Sequence, residues 1–164
     1  YVSPIFLTPK PDGGHRLILN LKNLNQYVTY EHFKMDGISE VLQLITPNCF
    51  MCKVDLKDAY YSVRMHPKYQ SYLKFCWNDI LYQFTCYANG LAPCPRKFTK
   101  IMKVPLATLR TGGHKASGYI DDFFTFANTY ARCKQSVMEM TQLFVSLGVA
   151  IHPDKTILVA NSRT

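Results

Sequence analysis

The sequence predicts an α+β domain on three observations. Short segments of strand character mix with amphipathic helical segments, without the regular alternation of a parallel βαβ fold. Gly and Pro are dispersed between those segments as punctuation, with no repeat, low-complexity tract or Gly/Ser linker. The 164 residues are 48% apolar and 18% charged, which is enough material for one packed core of ordinary domain size.

The elements follow in chain order. Ile5-Phe6-Leu7 and Leu17-Ile18-Leu19 flank Lys10-Pro11-Asp12-Gly13-Gly14-His15-Arg16, two apolar runs around a Pro-Asp-Gly-Gly turn, and predict a hairpin with a basic tip. Phe50 to Leu56 reads as a largely buried strand, followed by a short helical turn over Lys57 to Tyr61. Phe75-Cys76-Trp77 and Leu81-Tyr82-Gln83-Phe84 flank Asn78-Asp79-Ile80 and predict a second hairpin. From Pro95, the residues Phe98, Ile101, Met102, Leu106 and Leu109 share one helical face, and Arg96, Lys100 and Lys103 gather opposite. Pro95 suits the first turn of this helix, whereas Pro105 is expected to kink or shorten it. Gly118 to Phe126 sets two carboxylates between apolar runs, and Val137, Met140, Phe144 and Leu147 predict a last helix stopped by Gly148.

Several classes are excluded or disfavoured. No window approaches the roughly 18 consecutive apolar residues of a membrane span, and Tyr1-Val2-Ser3-Pro4 lacks a signal-peptide layout. An intracellular location, in cytoplasm or nucleus, is therefore expected, with no membrane partner. The absence of an initiator Met suggests a piece of a longer polypeptide. Nineteen Lys and Arg against eleven Asp and Glu give a net charge of +8, which favours a polyanionic partner such as nucleic acid or nucleotide phosphates. Of the six cysteines, only Cys49 and Cys52 form a C-x-x-C, without a second pair or a His at zinc-finger spacing. Reduced, mostly buried thiols are expected.

Three acidic residues interrupt strongly apolar surroundings: Asp55 in the predicted strand, and Asp121-Asp122 at a tight strand-to-strand connection. Burying such carboxylates costs several kcal/mol unless a cation or proton compensates. A divalent metal is one explanation, since magnesium takes one or two carboxylates plus substrate phosphate oxygens. A solvated turn, for which Asp is well suited, is the other.

Four motifs in order carry a resemblance. Tyr119-Ile120-Asp121-Asp122 resembles the Tyr-x-Asp-Asp box of reverse transcriptases, and Val54-Asp55-Leu56-Lys57-Asp58-Ala59-Tyr60-Tyr61 resembles their first Asp motif, Asp-x-x-x-Ala-Tyr/Phe. Between these, Gly90 through Pro95 to Phe98 resembles the Gly-x-x-x-x-Pro-x-x-Phe segment, and Leu147-Gly148 through Pro153-Asp154-Lys155 resembles the Leu-Gly and Pro-x-Lys segment that follows. Lys10 through Asn25 is similar to the family's fingers hairpin. The resemblance implies a right-hand polymerase fold with an antiparallel palm sheet backed by helices. Fingers are expected over about residues 1-30 and 65-88 and palm over about 31-64 and 89-164, with thumb and RNase H regions beyond residue 164. The wording around Asp55-Leu56-Lys57-Asp58-Ala59-Tyr60, with His32-Phe33-Lys34-Met35 upstream, looks most like retrotransposon enzymes of the tyrosine-recombinase (DIRS-like) group, and next like Ty3/gypsy elements.

Roles follow from the resemblance residue by residue. Asp55 and Asp121 would ligate two magnesium ions, or manganese in their place, with the Leu56 carbonyl completing one shell and Asp122 adding charge. Lys10 and Arg16 match positions that grip the incoming dNTP triphosphate. Asp58, Ala59 and Tyr60 match the segment under triphosphate and sugar, with Tyr60 as the steric gate against a ribose 2′-hydroxyl. Lys155 matches a lysine that protonates departing pyrophosphate. Arg96, Lys100, Lys103 and Tyr119 are expected along the RNA and DNA template-primer. Asn89 is a further expected dNTP-binding residue, one methylene shorter than the Gln that retroviral enzymes carry there, and Asn20 stands where an Asp is common; neither departure removes a metal ligand. Two other classes remain: a catalytically silent polymerase-like RNA-binding module, and a two-metal cyclase or nuclease on a related palm, for which the fingers hairpin and Tyr60 gate are not needed.

Overall fold

The computed structural model describes residues 1–10, 13–29, 31–35 and 37–162, and divides into two compact units. The first unit comprises Tyr1–His32 and Tyr60–Pro95, and the second Phe33–Ala59 and Arg96–Thr164.

In the first unit, β1 (Ile5–Pro9) and β2 (His15–Leu19) pair antiparallel, with Thr8 opposite Arg16 and Pro9 opposite His15. This is the predicted hairpin; Pro11 and Asp12 of its turn lie outside the described residues. The short helix α1 (Lys22–Asn25) follows, with α2 (Ile38–Leu42) and α3 (Pro67–Gln70) later in the chain. The second predicted hairpin joins β4 (Lys74–Trp77) to β5 (Ile80–Gln83). Its two-residue turn has φ of 49° at Asn78 and 60° at Asp79, the left-handed pair that matches the twist of the flanking strands and that these residue types tolerate. A small core of Leu19, Leu21, Leu73, Phe75, Ala88 and Leu91 joins these pieces.

The 88–92 loop is pressed onto β2. Leu19 donates its backbone N–H to the Asn89 carbonyl, and the Asn25 side chain clamps the loop by donating to the Gly90 carbonyl at 2.9 Å and accepting from the Ala92 N–H at 2.9 Å. Gly90 has φ of +105°.

The second unit is built on a four-stranded antiparallel sheet in the order β6-β7-β3-β8, formed by β3 (Phe50–Asp55), β6 (Lys115–Tyr119), β7 (Asp122–Ala127) and β8 (Ile157–Ser162). The helix α5 (Tyr130–Ser146) packs on β3, β7 and β8. Side chains alternate across a strand, so Cys52, Val54, Phe123 and Thr125 face this helix. The Phe123 ring meets Phe144 edge-on at 4.8 Å, and Cys52 and Cys133 bring their sulfurs to 3.6 Å. Burial pushes the Cys133 thiol up to about 12, which disfavours the reactive thiolate there.

The amphipathic helix predicted from Pro95 is α4 (Cys94–Thr111), with Phe98, Met102, Leu106 and Leu109 fully buried. Two expectations about it are corrected. Pro105 does not shorten the helix, which runs six residues past it, and Pro105 is buried on the apolar face; a proline there has no N–H to offer the Ile101 carbonyl. Ile101 is 44% exposed because it lies at the rim of the stripe rather than at its centre. Leu147, which shares the helical spacing of Val137, Met140 and Phe144, is exposed where those three are buried. The chain reverses at Gly148 (φ 76°) in a Schellman turn, with Gly148 N–H donating to the Val145 carbonyl and Val149 N–H to that of Phe144, so Val149 supplies the buried contact instead.

Gly118 on β6 lies opposite Phe123, and a Cβ there would collide with the Phe123 ring. Gly118→Ala is therefore expected to cost about 1–3 kcal/mol by overpacking, read as a lowered midpoint in denaturant.

Candidate active site

The sheet face turned away from α5 carries a row of polar groups at one end. Asp55 is the last residue of β3 and pairs in register with Asp122, the first residue of β7, which in turn pairs with Tyr119. Residues opposite one another share a face, so Tyr119, Asp122 and Asp55 align across three strands. Ile120 and Asp121 form the connection between β6 and β7. Ile120 has φ of 54°, a left-handed conformation that a β-branched residue adopts only where the surroundings force it, and such strain concentrates at functional turns.

Backbone bonds fix the end of β3 on both sides. Leu56 donates its N–H to the Asp121 carbonyl at 2.8 Å, and Lys57 donates to Ala150. His152 donates to the Asp55 carbonyl at 2.8 Å, and Asp55 donates its own N–H to the Thr156 hydroxyl at 3.1 Å. The β3–β8 register shifts between Met51 and Lys53, and at Asp55 the Thr156 side chain bonds the N–H in place of a strand partner. Thr156 and His152 are positioning residues that carry no sequence signal.

Asp55 is 8% exposed. Burial and the facing Asp122 carboxylate raise its pKa above the ordinary 3.8, while Lys53 and Lys155 pull it down. The Lys53 ammonium lies 2.7 Å from Asp122 Oδ1 and 3.5 Å from Asp55 Oδ2. Lys53, which none of the motifs marks, does carry a signal in the sequence: it lies two residues before Asp55 in a buried strand, hence on the same face.

Asp55 and Asp122 thus converge, and the backbone carbonyl of Asp121 is tied to the N–H of Leu56, the residue after Asp55. Among the described residues no group of three or more His, Cys, Asp or Glu side chains forms a ready metal cage. The set nevertheless fits a hard divalent ion that takes one or two carboxylates and completes its shell with substrate oxygens. The like-charge pressure on Asp55 is what such an ion relieves.

The other expected site residues fall as follows. Lys155 ends a 3₁₀ turn (Pro153–Lys155), and its charge is felt at Asp55. Asp58 has φ of 50° and is exposed, and Ala59 is buried at the start of the 3₁₀ turn Ala59–Ser62. Lys100 and Lys103 are exposed on α4, Tyr119 is 45% exposed, and Arg96 is half-buried rather than on the solvent stripe. In the first unit, Lys10 follows β1, Arg16 is exposed on β2, and Tyr60 packs against the small core. The Asn89 amide nitrogen donates to the Leu17 carbonyl at 3.2 Å and to the Tyr61 hydroxyl at 3.1 Å, so its donors are spent on the fold.

Residues 8–164 match the family model described as reverse transcriptase (RNA-dependent DNA polymerase). The chain belongs to the reverse transcriptase family. It is 26% identical to the Gag-Pol polyprotein of gibbon ape leukemia virus over 99% of this chain and 10% of that protein. It is 22% identical to the transposon Tf2-3 polyprotein of Schizosaccharomyces pombe over 93% of this chain and 11% of that protein. The chain therefore spans about a tenth of these relatives' length. Among solved structures, the foamy viral protease-reverse transcriptase in complex with double-stranded DNA superposes with a TM-score of 0.84 at 20% identity, covering 96% of this chain and 27% of that one. The reverse transcriptase fold of fingers and palm, with its antiparallel sheet, is thereby shown.

Proposed function

We propose that this chain is the fingers and palm portion of an RNA-directed DNA polymerase that transfers dNMP from dNTP to a primer 3′-hydroxyl during retroelement replication. The observation that carries the reading is the row Tyr119–Asp122–Asp55 beside the strained Ile120–Asp121 turn. Fingers would comprise about residues 1-30 and 65-88 and palm about 31-64 and 89-164. Family membership and the motif order support both statements.

Asp55 and Asp121 would hold two magnesium ions, with Asp122 adding negative charge and the Leu56 carbonyl a further oxygen. When bound, these ions supply activation of the 3′-hydroxyl and charge neutralisation of the triphosphate and departing pyrophosphate. The protein's own residues position and select. Lys10 and Arg16 grip the triphosphate, Arg16 with the fork geometry suited to phosphate. Asp58 and Ala59 line the nucleotide, and the Tyr60 ring excludes a ribose 2′-hydroxyl. Lys155 delivers a proton to the pyrophosphate oxygen as it leaves. Arg96, Lys100, Lys103 and Tyr119 follow the template-primer backbone, giving salt-dependent affinity. We assign the parent element to the tyrosine-recombinase (DIRS-like) group, on the phrases around Asp55, and its site of action to the cell interior.

The test is dNTP incorporation on a primed RNA template by the full-length protein, compared with its Asp121→Asn variant under magnesium. Loss in the variant supports the reading. Arg16→Ala is expected to raise the dNTP KM about tenfold, the worth of a charged hydrogen bond, with kcat little changed; an unmoved KM removes Arg16 from the nucleotide site. One observation favours a second reading, a catalytically silent RNA-binding module: the Lys53 ammonium already offsets part of the charge of the acidic pair. Wild-type protein that binds primed template but incorporates nothing, with magnesium or manganese, would establish it.

A further inference from the structure

The polar face of the second unit holds a cation of its own. Lys53 arises from β3, where it pairs with Phe124 of β7 and Ile157 of β8, and its side chain is 30% exposed. Two residues of strand carry the Lys53 side chain to the same face as Asp55, and the register of β3 with β7 brings Asp122 alongside. The ammonium thereby reaches both carboxylates, at 2.7 Å and 3.5 Å.

An acidic pair at the end of a sheet repels itself, and the repulsion grows as the pair is withdrawn from water. A strand residue with a fixed positive charge offsets part of that repulsion without any bound ion. The same charge then opposes a divalent ion loading at Asp55, because like charges a few ångströms apart repel strongly where water is partly excluded. Lys has the chain length and rotamer freedom to withdraw toward solvent, which an Arg fork holding two oxygens does less readily.

We propose that Lys53 is an exchangeable internal counter-ion, which holds Asp55 and Asp122 together in the metal-free protein and withdraws from Asp55 when a divalent cation loads there. The inference rests on the metal-binding reading of the acidic row given above. The ammonium keeps its proton and its charge throughout; only its position changes. Lys53 is on this account a positioning residue that sets metal affinity, not a group that touches the reacting atoms.

The proposal is tested on the full-length protein with Mn²⁺ as probe, by electron paramagnetic resonance titration and by thermal melts in chelator and in Mn²⁺. Asp55→Asn serves as the control for the site. Lys53→Met, which keeps the side-chain length and removes the charge, is expected to bind Mn²⁺ about tenfold more tightly than wild type at low salt. It is also expected to melt lower in chelator and to gain more from Mn²⁺, because binding to the folded state alone stabilises it by linkage. Lys53→Arg should stay close to wild type or bind more weakly. If wild type binds Mn²⁺ in an Asp55-dependent way but Lys53→Met binds equally or less tightly, the counter-ion role is overturned while the metal site stands. If no Asp55-dependent binding exists in either protein, the metal site fails, and this inference with it. Should Lys53→Met not fold in chelator, refolding it with Mn²⁺ decides: recovery supports exchange, and no recovery overturns it.

Discussion

Asp55→Asn is expected to abolish nucleotide incorporation while making the metal-free protein more stable. The first effect follows from the position of Asp55 at the end of β3, facing Asp122, where one carboxylate supplies much of the charge that would hold a catalytic ion. Losing several kcal/mol of charge stabilisation at about 1.4 kcal/mol per decade lowers the rate roughly a thousandfold. The second effect follows from the sign of its shift. Burial and Asp122 raise the Asp55 pKa, so the folded protein holds that proton more tightly than the unfolded chain. A raised carboxyl favours the fold fully below the ordinary carboxylate range near 3.8, and that contribution is lost as pH rises through the raised value. Asparagine is neutral throughout and leaves the 2.7 Å contact of Lys53 with Asp122 in place. Melting of the variant in chelator should therefore run above wild type by a few degrees near neutral pH, the scale on which about 1 kcal/mol moves a domain of this size, and the two curves should converge in acid. A variant that loses activity and melts lower would mean that Asp55 is structural.

Gly90→Ala should unfold the first unit rather than merely loosen it. Gly90 has φ of +105°, and an added Cβ would run into the Leu19 carbonyl, which is backbone and has no rotamer to move. The left-handed conformation costs a residue with a side chain about 1–3 kcal/mol, and the collision adds a similar amount. Relief would require the 88–92 loop to lift from β2, breaking the Leu19 to Asn89 bond and both bonds of the Asn25 clamp. A total of about 3–5 kcal/mol is expected, in the range that marks a named defect rather than a surface change. Hydrogen exchange tests the location as well as the size: protection should fall over 1–32 and 60–95 and persist in β3, β6 and β7. Uniform loss over the whole chain, or none, would refute the assignment.

Much of this was legible in the residues. Short apolar runs around Asn78-Asp79-Ile80 and around the Pro-Asp-Gly-Gly tip predicted both hairpins, because turn chemistry is local and does not depend on distant partners. The α4 face was readable from spacing for the same reason, apart from Ile101, whose place at the rim depends on how the helix is rotated against its neighbours. The acidic residues of the site stood out because charge inside an apolar run requires compensation wherever the run ends up.

What the sequence could not supply was partnership. It determined that Asp55 and Asp121-Asp122 are chemically marked, that the chain is basic, and that its motifs follow one family's order. Only the tertiary structure decided that Asp122, rather than Asp121, sits directly across from Asp55, because register is a property of two strands and a shift of one residue would turn each side chain to the other face. Only the tertiary structure spent the Asn89 donors on Leu17 and Tyr61, brought Thr156 to the Asp55 amide, and drew Lys53 into the acidic pair. Each of these joins groups far apart in the chain or on different strands, and such contacts follow from the packing of the sheet rather than from local spacing.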